Sequence, residues 1–264
     1  MLRLILGAGL LALAVAASAA PTPGSAKLRV EGTQFIVAVA DGRRLTSREL
    51  VGAIFDMTTP EGIAAKVRID AVSPADDRAG VLLHDLKVRG DDGAWRPMCD
   101  ADARGRRLAF PMAGRWEGRD FVADADEWFL TCTSGSQAKC RLWGYDPWGK
   151  GPKGESLMAH YAACQHLVRG DYDGRGTAHT RDGTSIDVWD DLGVQTRETA
   201  ADKDFAFEAG WGPKGAVCVA KTRWEGLLPL SVLLASVPRL KAEPCDEAEA
   251  RRRGAVIFNR SKVL

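Results

Sequence analysis

The sequence predicts an α+β protein that is mainly antiparallel β, with one amphipathic helix, a short C-terminal helix and stabilising disulfides. Three observations predict this class. Short apolar segments with turns between them recur before residue 97, one later segment has helical periodicity, and six cysteines lie from residue 99 onwards.

The composition limits the function. The 264 residues are 45% hydrophobic and 27% charged, with a net charge of +1. This apolar content suits one large or two modest domains and is too high for intrinsic disorder. Because the charges balance, nothing in the composition attracts nucleic acid or an anionic membrane surface. We therefore expect no nucleic-acid partner.

The N-terminus has the pattern of a secretory signal. One cation, Arg3, precedes an apolar run over Leu4–Ala16, and small residues follow up to Ala19. We expect a signal peptide over 1–19 and a secreted or periplasmic protein. The alternative is an uncleaved anchor, for which the run is short. The later apolar stretch 227–237 is also too short, so no membrane span is expected after cleavage.

The cysteines and tryptophans divide the chain. All six cysteines and all eight tryptophans lie at or after Trp95. This shift predicts a linker over 20–27, an N-terminal β module over 28–97 and a Cys/Trp-rich domain over 98–264.

Four segments predict strands in the N-terminal module. Val67 and Ile69 alternate with charged residues, which is typical of a strand with one solvated face. Turn-rich stretches separate the segments, which favours a small antiparallel sheet. The segments are QFIVAVA (34–40), ELVGAIFD (49–56), AAKVRIDAV (64–72) and VLLHDLKVR (81–89).

Two helices are predicted. ESLMAHYAACQHLV (155–168) carries apolar residues at spacings of four, three and four, with Gly170 placed to end the helix. Near the C-terminus, Asp246 is a candidate N-cap, acidic residues come first, arginines follow and Gly254 ends the segment. The closing AVIFN (255–259) predicts a last strand.

The cysteines are expected to form three disulfides in an oxidising compartment. Their number leaves the connectivity open, although the short TSGSQAK spacer favours a local Cys132–Cys140 bridge. Two alternatives are a metal site with His160 and Cys164 on one helical face and His166 just after them, and a Cys164 nucleophile activated by His160. The even number of cysteines favours disulfides. The six are Cys99, Cys132, Cys140, Cys164, Cys218 and Cys245.

The densest polar segment is 169–193. As a twelve-residue calcium loop it would use Asp171, Asp173 and Asp182, but Arg175 occupies a position that needs an oxygen ligand. The favoured interpretation is a hairpin with a turn at Asp182–Gly183 between TAHT and TSIDVW. We predict no metal and no cofactor, and the calcium alternative stays open.

The chain resembles the ADYC domain family of exported bacterial proteins, which has no assigned activity. The resemblance is carried by KCRLWGYDPW (139–148), the stretch 160–190, FEAGWGPKGAVC (207–218) and FNRS (258–261). VEGTQF and LVGA extend it towards the N-terminus.

One departure affects the signature of that family. The A-D-Y-C motif reads Gly170, Asp171, Tyr172, Asp173 here. The resemblance implies that the partner of the missing cysteine is absent too, so that a whole disulfide is lost. Asp171 and Tyr172 are the matched residues.

Three functions compete. The first is a non-catalytic binding or interaction module for an envelope or extracellular ligand, with Trp143, Tyr145 and Trp148 as an aromatic platform. The second is a secreted hydrolase or transferase, and the third is a passive structural protein. The enzyme would use His160, Asp171, His179, Asp187 and Glu208 for acid-base chemistry. No common nucleophile, metalloprotease or nucleotide-binding motif supports it, and whether the protein is an enzyme stays open.

Overall fold

A computed structural model describes residues 28–39, 41–59, 62–118, 120–124, 126–198 and 204–262. The predicted signal peptide and linker lie outside these residues. The strands are β1 (Leu28–Glu31), β2 (Gln34–Ala38), β3 (Arg44–Thr46), β4 (Ile54–Thr58), β5 (Ala64–Pro74), β6 (Leu82–Arg89), β7 (Trp95–Pro97), β8 (Ala109–Ala113), β9 (Arg115–Glu117), β10 (Asp120–Val122), β11 (Trp128–Cys132), β12 (Ile186–Asp190), β13 (Phe205–Gly212), β14 (Gly215–Val219) and β15 (Ile257–Lys262). The helices are α1 (Ser136–Leu142), α2 (Met158–Arg169), α3 (Leu230–Ser236) and α4 (Glu247–Arg252).

The described strands form four antiparallel sheets. A six-stranded sheet has the order β11-β8-β6-β5-β4, with β7 paired to β6. A four-stranded sheet has the order β12-β15-β13-β14, and α2 and α4 pack against it. The two smaller sheets are β1-β2-β3 and β9-β10. The prediction of a mainly antiparallel β protein with disulfides is confirmed.

The N-terminal strand predictions hold. Each predicted segment contains or overlaps one strand: β2, β4, β5 and β6. Val67 and Ile69 of β5 are each 1% exposed, whereas Lys66 is exposed, so this strand has one solvated face as its alternation predicts. The six-stranded sheet continues across residue 97 through β8 and β11. The division of the chain at that residue stays a prediction.

Two helices were predicted and two were not. The first predicted helix begins at Met158 and ends at Gly170, which adopts a left-handed conformation (φ 61°) where a Cβ would lie 3.1 Å from the carbonyl oxygen of His179. Asp246 caps α4 by accepting a hydrogen bond from the backbone N–H of Glu249, as predicted. The additional helices, α1 and α3, have seven residues each and are too short for a clear helical period.

The predicted hairpin at Asp182–Gly183 is wrong. TSIDVW does contain a strand, β12, but this strand pairs with β15 instead of the TAHT segment. The backbone of TAHT is held by the end of α2, because the N–H of His179 donates to the carbonyl of Arg169. A contact distant in sequence therefore replaces the local pairing.

All six cysteines form disulfides: Cys99–Cys132, Cys140–Cys164 and Cys218–Cys245. The predicted Cys132–Cys140 bridge is wrong because β11 presents Cys132 to the N-terminal core, whereas α1 presents Cys140 to α2. Cys164 is therefore neither a free nucleophile nor a thiolate ligand. Three disulfides fit a chain that folds in an oxidising, non-cytoplasmic compartment. No helix in the described ranges has the length and apolar character needed to cross a membrane.

Candidate functional site

A cavity of about 400 Å³ lies where loops of the six-stranded sheet meet the helical part of the molecule. Its walls come from the loop 102–106, helix α1, the segment 180–186 and Arg223. We call this cavity the cleft. Its size is within the range of small-molecule sites, and such sites often lie where two parts of a fold meet.

The carboxylates on one side of the cleft are held by arginines. Asp77 lies 3.1 Å from Arg104 and 3.7 Å from Arg106, whereas Asp102 accepts a 2.8 Å hydrogen bond from Arg106. Burial alone would raise the pKa of Asp102, but Arg106 and nearby backbone N–H groups outweigh it and hold that pKa below its usual value. Asp102 therefore stays ionised and is a poor proton donor near neutral pH, and Asp77 is paired with the same arginines.

Arg223 belongs to a buried ion pair. It is 2% exposed, and its Nη2 and Nε lie 2.9 and 3.2 Å from the two carboxylate oxygens of Glu208, which is 0% exposed. Burial would raise the pKa of Glu208, but the Arg223 charge outweighs it and lowers that pKa. The guanidinium also donates to the carbonyl oxygens of Leu167 and Val168 in the last turn of α2. The pair joins α2 to the four-stranded sheet.

A β-bulge directs Glu208 into this pair. The register between β13 and β15 shifts between Phe207 and Ala209, so Glu208 lies at the irregularity. The hydroxyl of Tyr172 donates to Glu208 over 3.1 Å and accepts from the backbone N–H of Arg223 over 2.7 Å. The polar side-chain groups of Arg223, Glu208 and Tyr172 therefore all have hydrogen-bond partners within the protein.

Two cations of the cleft have no acidic partner among the described residues. Lys139 on α1 is half-buried, and Arg181 is exposed with its guanidinium 4.7 Å from the centre of the Trp224 ring. Apolar side chains of Leu142, Trp143 and Ile186 complete the wall. The sequence analysis did not select these cations, since surface lysines and arginines are common and only their shared cavity distinguishes them.

A second cavity, of about 280 Å³, contains Asp171, one of the predicted residues. Its carboxylate lies 2.8 Å from Nδ1 of His166 and accepts a 2.9 Å hydrogen bond from the N–H of Gly176. Burial opposes ionisation, but His166 outweighs it and lowers the pKa of Asp171. The other ring nitrogen of His166 lies 3.3 Å from the carbonyl oxygen of Pro213. The sequence analysis named His166 only in the metal alternative and not as a partner of Asp171, although it lies five residues before Asp171 across the end of α2.

The two histidines predicted as site residues, His160 and His179, line neither cavity. His160 is 8% exposed and stacks on Tyr145, and burial lowers its pKa. His179 is half-buried, with its Nδ1 3.2 Å from the carbonyl oxygen of Gly170 and its ring stacked on Tyr172. Neither lines the cleft or the second cavity.

The remaining predicted acids are paired. Asp187 is 6% exposed and accepts a 2.6 Å hydrogen bond from Arg260, and Glu208 belongs to the Arg223 pair. The structure therefore does not bring His160, Asp171, His179, Asp187 and Glu208 together in either cavity.

The predicted aromatic residues are also separate. Tyr145 is 0% exposed, and its hydroxyl donates to Asp190 over 2.7 Å. Trp143 is half-buried and lines the cleft, whereas Trp148 lines a different cavity and donates its indole N–H to Ala113. Only Trp143 of the three faces the cleft.

The three acids of the calcium alternative do not meet either. Asp171 lines the second cavity and Asp182 lines the cleft, whereas Asp173 accepts from the backbone N–H of Arg175. Among the described residues, no group of three or more Asp, Glu, His or Cys is arranged to hold a metal ion.

These features define a disulfide-bonded, mainly antiparallel β protein with a cleft where loops of its six-stranded sheet meet α1 and the segment 180–186. The model of the ADYC domain matches residues 47–225, and the chain belongs to this family. The match extends over strands on both sides of residue 97 and includes every residue that lines the cleft. No curated protein and no solved structure matches the chain.

Proposed function

We propose that this chain is an exported, non-catalytic binding module of the cell envelope and that the cleft holds its ligand. The observation that carries this proposal is the state of the cleft's ionisable groups. The residues that line it include no histidine, cysteine or glutamate, and two of its three aspartates are held by arginines. General acid-base catalysis needs a group that is free to exchange a proton. This cleft is better suited to holding a molecule than to changing it.

The location rests on two supports. The first 19 residues have the pattern of a secretory signal, and the three disulfides need an oxidising compartment. Mass spectrometry of the protein recovered from its native envelope or medium tests the assignment. A mature chain that begins at Ala20 is expected, and an intact leader would contradict it.

Binding in the cleft can be tested with a substitution whose larger side chain fills the cavity. Ala103 is exposed and lines the cleft, so Ala103→Trp fills it without disturbing the core. A library of small fragments, neutral and charged, is screened by ligand-observed NMR against the parent protein and this variant. Fragments that bind the parent are expected to lose binding to Ala103→Trp and to keep it with Ala94→Trp, an exposed position outside the cleft. Equal binding to all three proteins would contradict the proposal.

A hydrolase or transferase is the second candidate, and one observation favours it. Ser136, His166 and Asp171 line the same second cavity, and the His166–Asp171 contact resembles the base-orienting half of a catalytic triad. The ring nitrogen that would activate a serine lies instead against the carbonyl of Pro213. A fluorophosphonate probe should therefore leave Ser136 unlabelled. Labelling that Ser136→Ala abolishes would favour the enzyme.

A further inference from the structure

The charges of the cleft do not cancel. Five cationic side chains and three carboxylates line it. Arg104 and Arg106 neutralise Asp77 and Asp102, while Glu208 behind the wall neutralises Arg223. Lys139, Arg181 and Asp182 remain, which leaves one positive charge in excess.

Of the two remaining cations, Lys139 should attract an anionic ligand group more strongly than Arg181. It is half-buried, so water screens its charge less than it screens that of the exposed Arg181. Its ammonium group has no hydrogen-bond acceptor in the described part of the chain. A half-buried cation without a protein partner gains most from an anionic group supplied by a ligand.

The rest of the cleft wall offers an apolar surface beside the Lys139 charge, which suits a ligand with an apolar body. Leu142, Trp143 and Ile186 give an aliphatic and aromatic surface. The hydroxyl of Thr180 accepts a 3.2 Å hydrogen bond from Arg223, which leaves its proton free to donate to a ligand oxygen. Charge, hydroxyl and apolar surface lie around one volume of about 400 Å³.

We propose that the cleft selects a small amphipathic carboxylate, with the carboxylate at Lys139 and Arg181 and the apolar body against Trp143. This inference rests on the proposed binding function and names its ligand class. A single excess charge suits a monoanion. Asp182 would oppose a second negative charge, and this disfavours phosphate monoesters, which carry nearly two charges at neutral pH.

The test uses three ligands that share an aromatic body: 3-phenylpropanoate, its neutral amide 3-phenylpropanamide, and phenyl phosphate. Affinities are measured by ligand-observed NMR on the full mature protein at low salt. The carboxylate is expected to bind about tenfold more tightly than the amide, because a hydrogen bond to a charged group is stronger than a neutral one. The difference should narrow as salt is added.

Variants that remove single charges test which residues cause the preference for the carboxylate over the amide. Lys139→Gln is expected to remove most of the preference for the carboxylate, and Asp182→Asn is expected to strengthen carboxylate binding about two- to fivefold, as removal of a nearby like charge would. Lys150→Gln is the matched control, since Lys150 is exposed and outside the cleft. Circular dichroism and thermal unfolding check that each variant folds.

The outcomes separate this inference from the proposed function. Equal affinity for the carboxylate and the amide, or tighter binding of phenyl phosphate, overturns the carboxylate assignment and leaves the cleft as a binding site. The same holds if none of the three ligands binds while neutral fragments still bind in an Ala103→Trp-sensitive manner. If no ligand or fragment is sensitive to Ala103→Trp, both the inference and the proposed function fail.

Discussion

Two arginine–carboxylate pairs with similar geometry have opposite surroundings. Arg223 and Glu208 have side chains that are 1% and 0% exposed, whereas Arg96 and Asp92 on the β6–β7 hairpin are both 56% exposed. In the buried pair, neither charge has water as an alternative partner. In the exposed pair, water can solvate either charge if its partner is removed. From this comparison we expect burial, more than bond length, to decide how much stability is lost when one partner is removed.

The largest effect is expected at the buried pair. Glu208→Gln leaves the Arg223 charge buried and uncompensated, which should lower the free energy of unfolding by about 3–5 kcal/mol. Chemical denaturation measures the change. Glu117→Gln, at an exposed position, is the matched control and should stay near the parent. A loss below about 1 kcal/mol for Glu208→Gln would show that water reaches Arg223.

A double variant sharpens the same point. Replacing both partners, as in Glu208→Leu with Arg223→Met, removes both buried charges at once. It should recover much of the stability lost in Glu208→Gln, because an apolar pair of similar volume has no desolvation cost. If the double variant is less stable than Glu208→Gln, the pair's hydrogen bonds to Tyr172 and α2 outweigh its charges.

A buried histidine extends the comparison to pH. His84 is 0% exposed, bonds Ser47 through Nε2 over 2.8 Å, and burial lowers its pKa from 6.5 to about 4. Between pH 6.5 and 4 the unfolded chain binds this proton and the folded chain does not, so stability falls as the pH falls. The loss should reach about 3 kcal/mol at pH 4.

Substitution of His84 checks that assignment. His84→Gln cannot titrate, so its free energy of unfolding should change less between pH 7 and pH 4 than that of the parent. Urea unfolding at several pH values gives both curves. Parallel curves for the two proteins over this range would exclude His84 as the source of the pH dependence of stability.

The His166–Asp171 pair lies between the two extremes, with side chains 15% and 2% exposed. Asp171→Asn should destabilise the protein by about 1–3 kcal/mol near pH 7, because the carboxylate also accepts from Gly176. Since the folded pKa of Asp171 is lowered, its contribution is present above the unfolded value of 3.8 and is lost as the pH falls below it. The parent and variant stabilities should therefore converge under acid, and a gap that stays constant down to pH 2 would contradict this.

The smallest effect is expected at the exposed pair. Arg96→Gln should leave the stability of the protein unchanged within measurement, because water solvates the released Asp92 carboxylate. Thermal unfolding at low and high salt measures this. A clear destabilisation that is lost at high salt would mean that the hairpin depends on the pair.

Local patterns predicted much of the fold. The alternation around Val67 and Ile69 predicted β5, and Asp246 predicted the start of α4, because both signals act within a few residues. The Cys132–Cys140 bridge and the hairpin at Asp182–Gly183 failed for the opposite reason. In each case a partner far along the chain, Cys99 or β15, replaced the near one.

The candidate site was less predictable than the fold. Asp171 and Trp143 were selected from the sequence, and each lines a cavity. Lys139 and Arg181 carry no local signal, because the importance of a surface cation depends on which acids lie near it. His160 and Glu208 looked like candidates for chemistry until their burial and partners were known.

The sequence by itself determined the antiparallel β character, the capped C-terminal helix and the presence of paired cysteines, because side-chain periodicity, capping and redox chemistry act locally or by composition. Only the tertiary structure decided which cysteines join, which charges are neutralised and which cations remain in the cleft. These outcomes depend on distances between residues far apart in the chain, and electrostatic and covalent partners are chosen by distance in space.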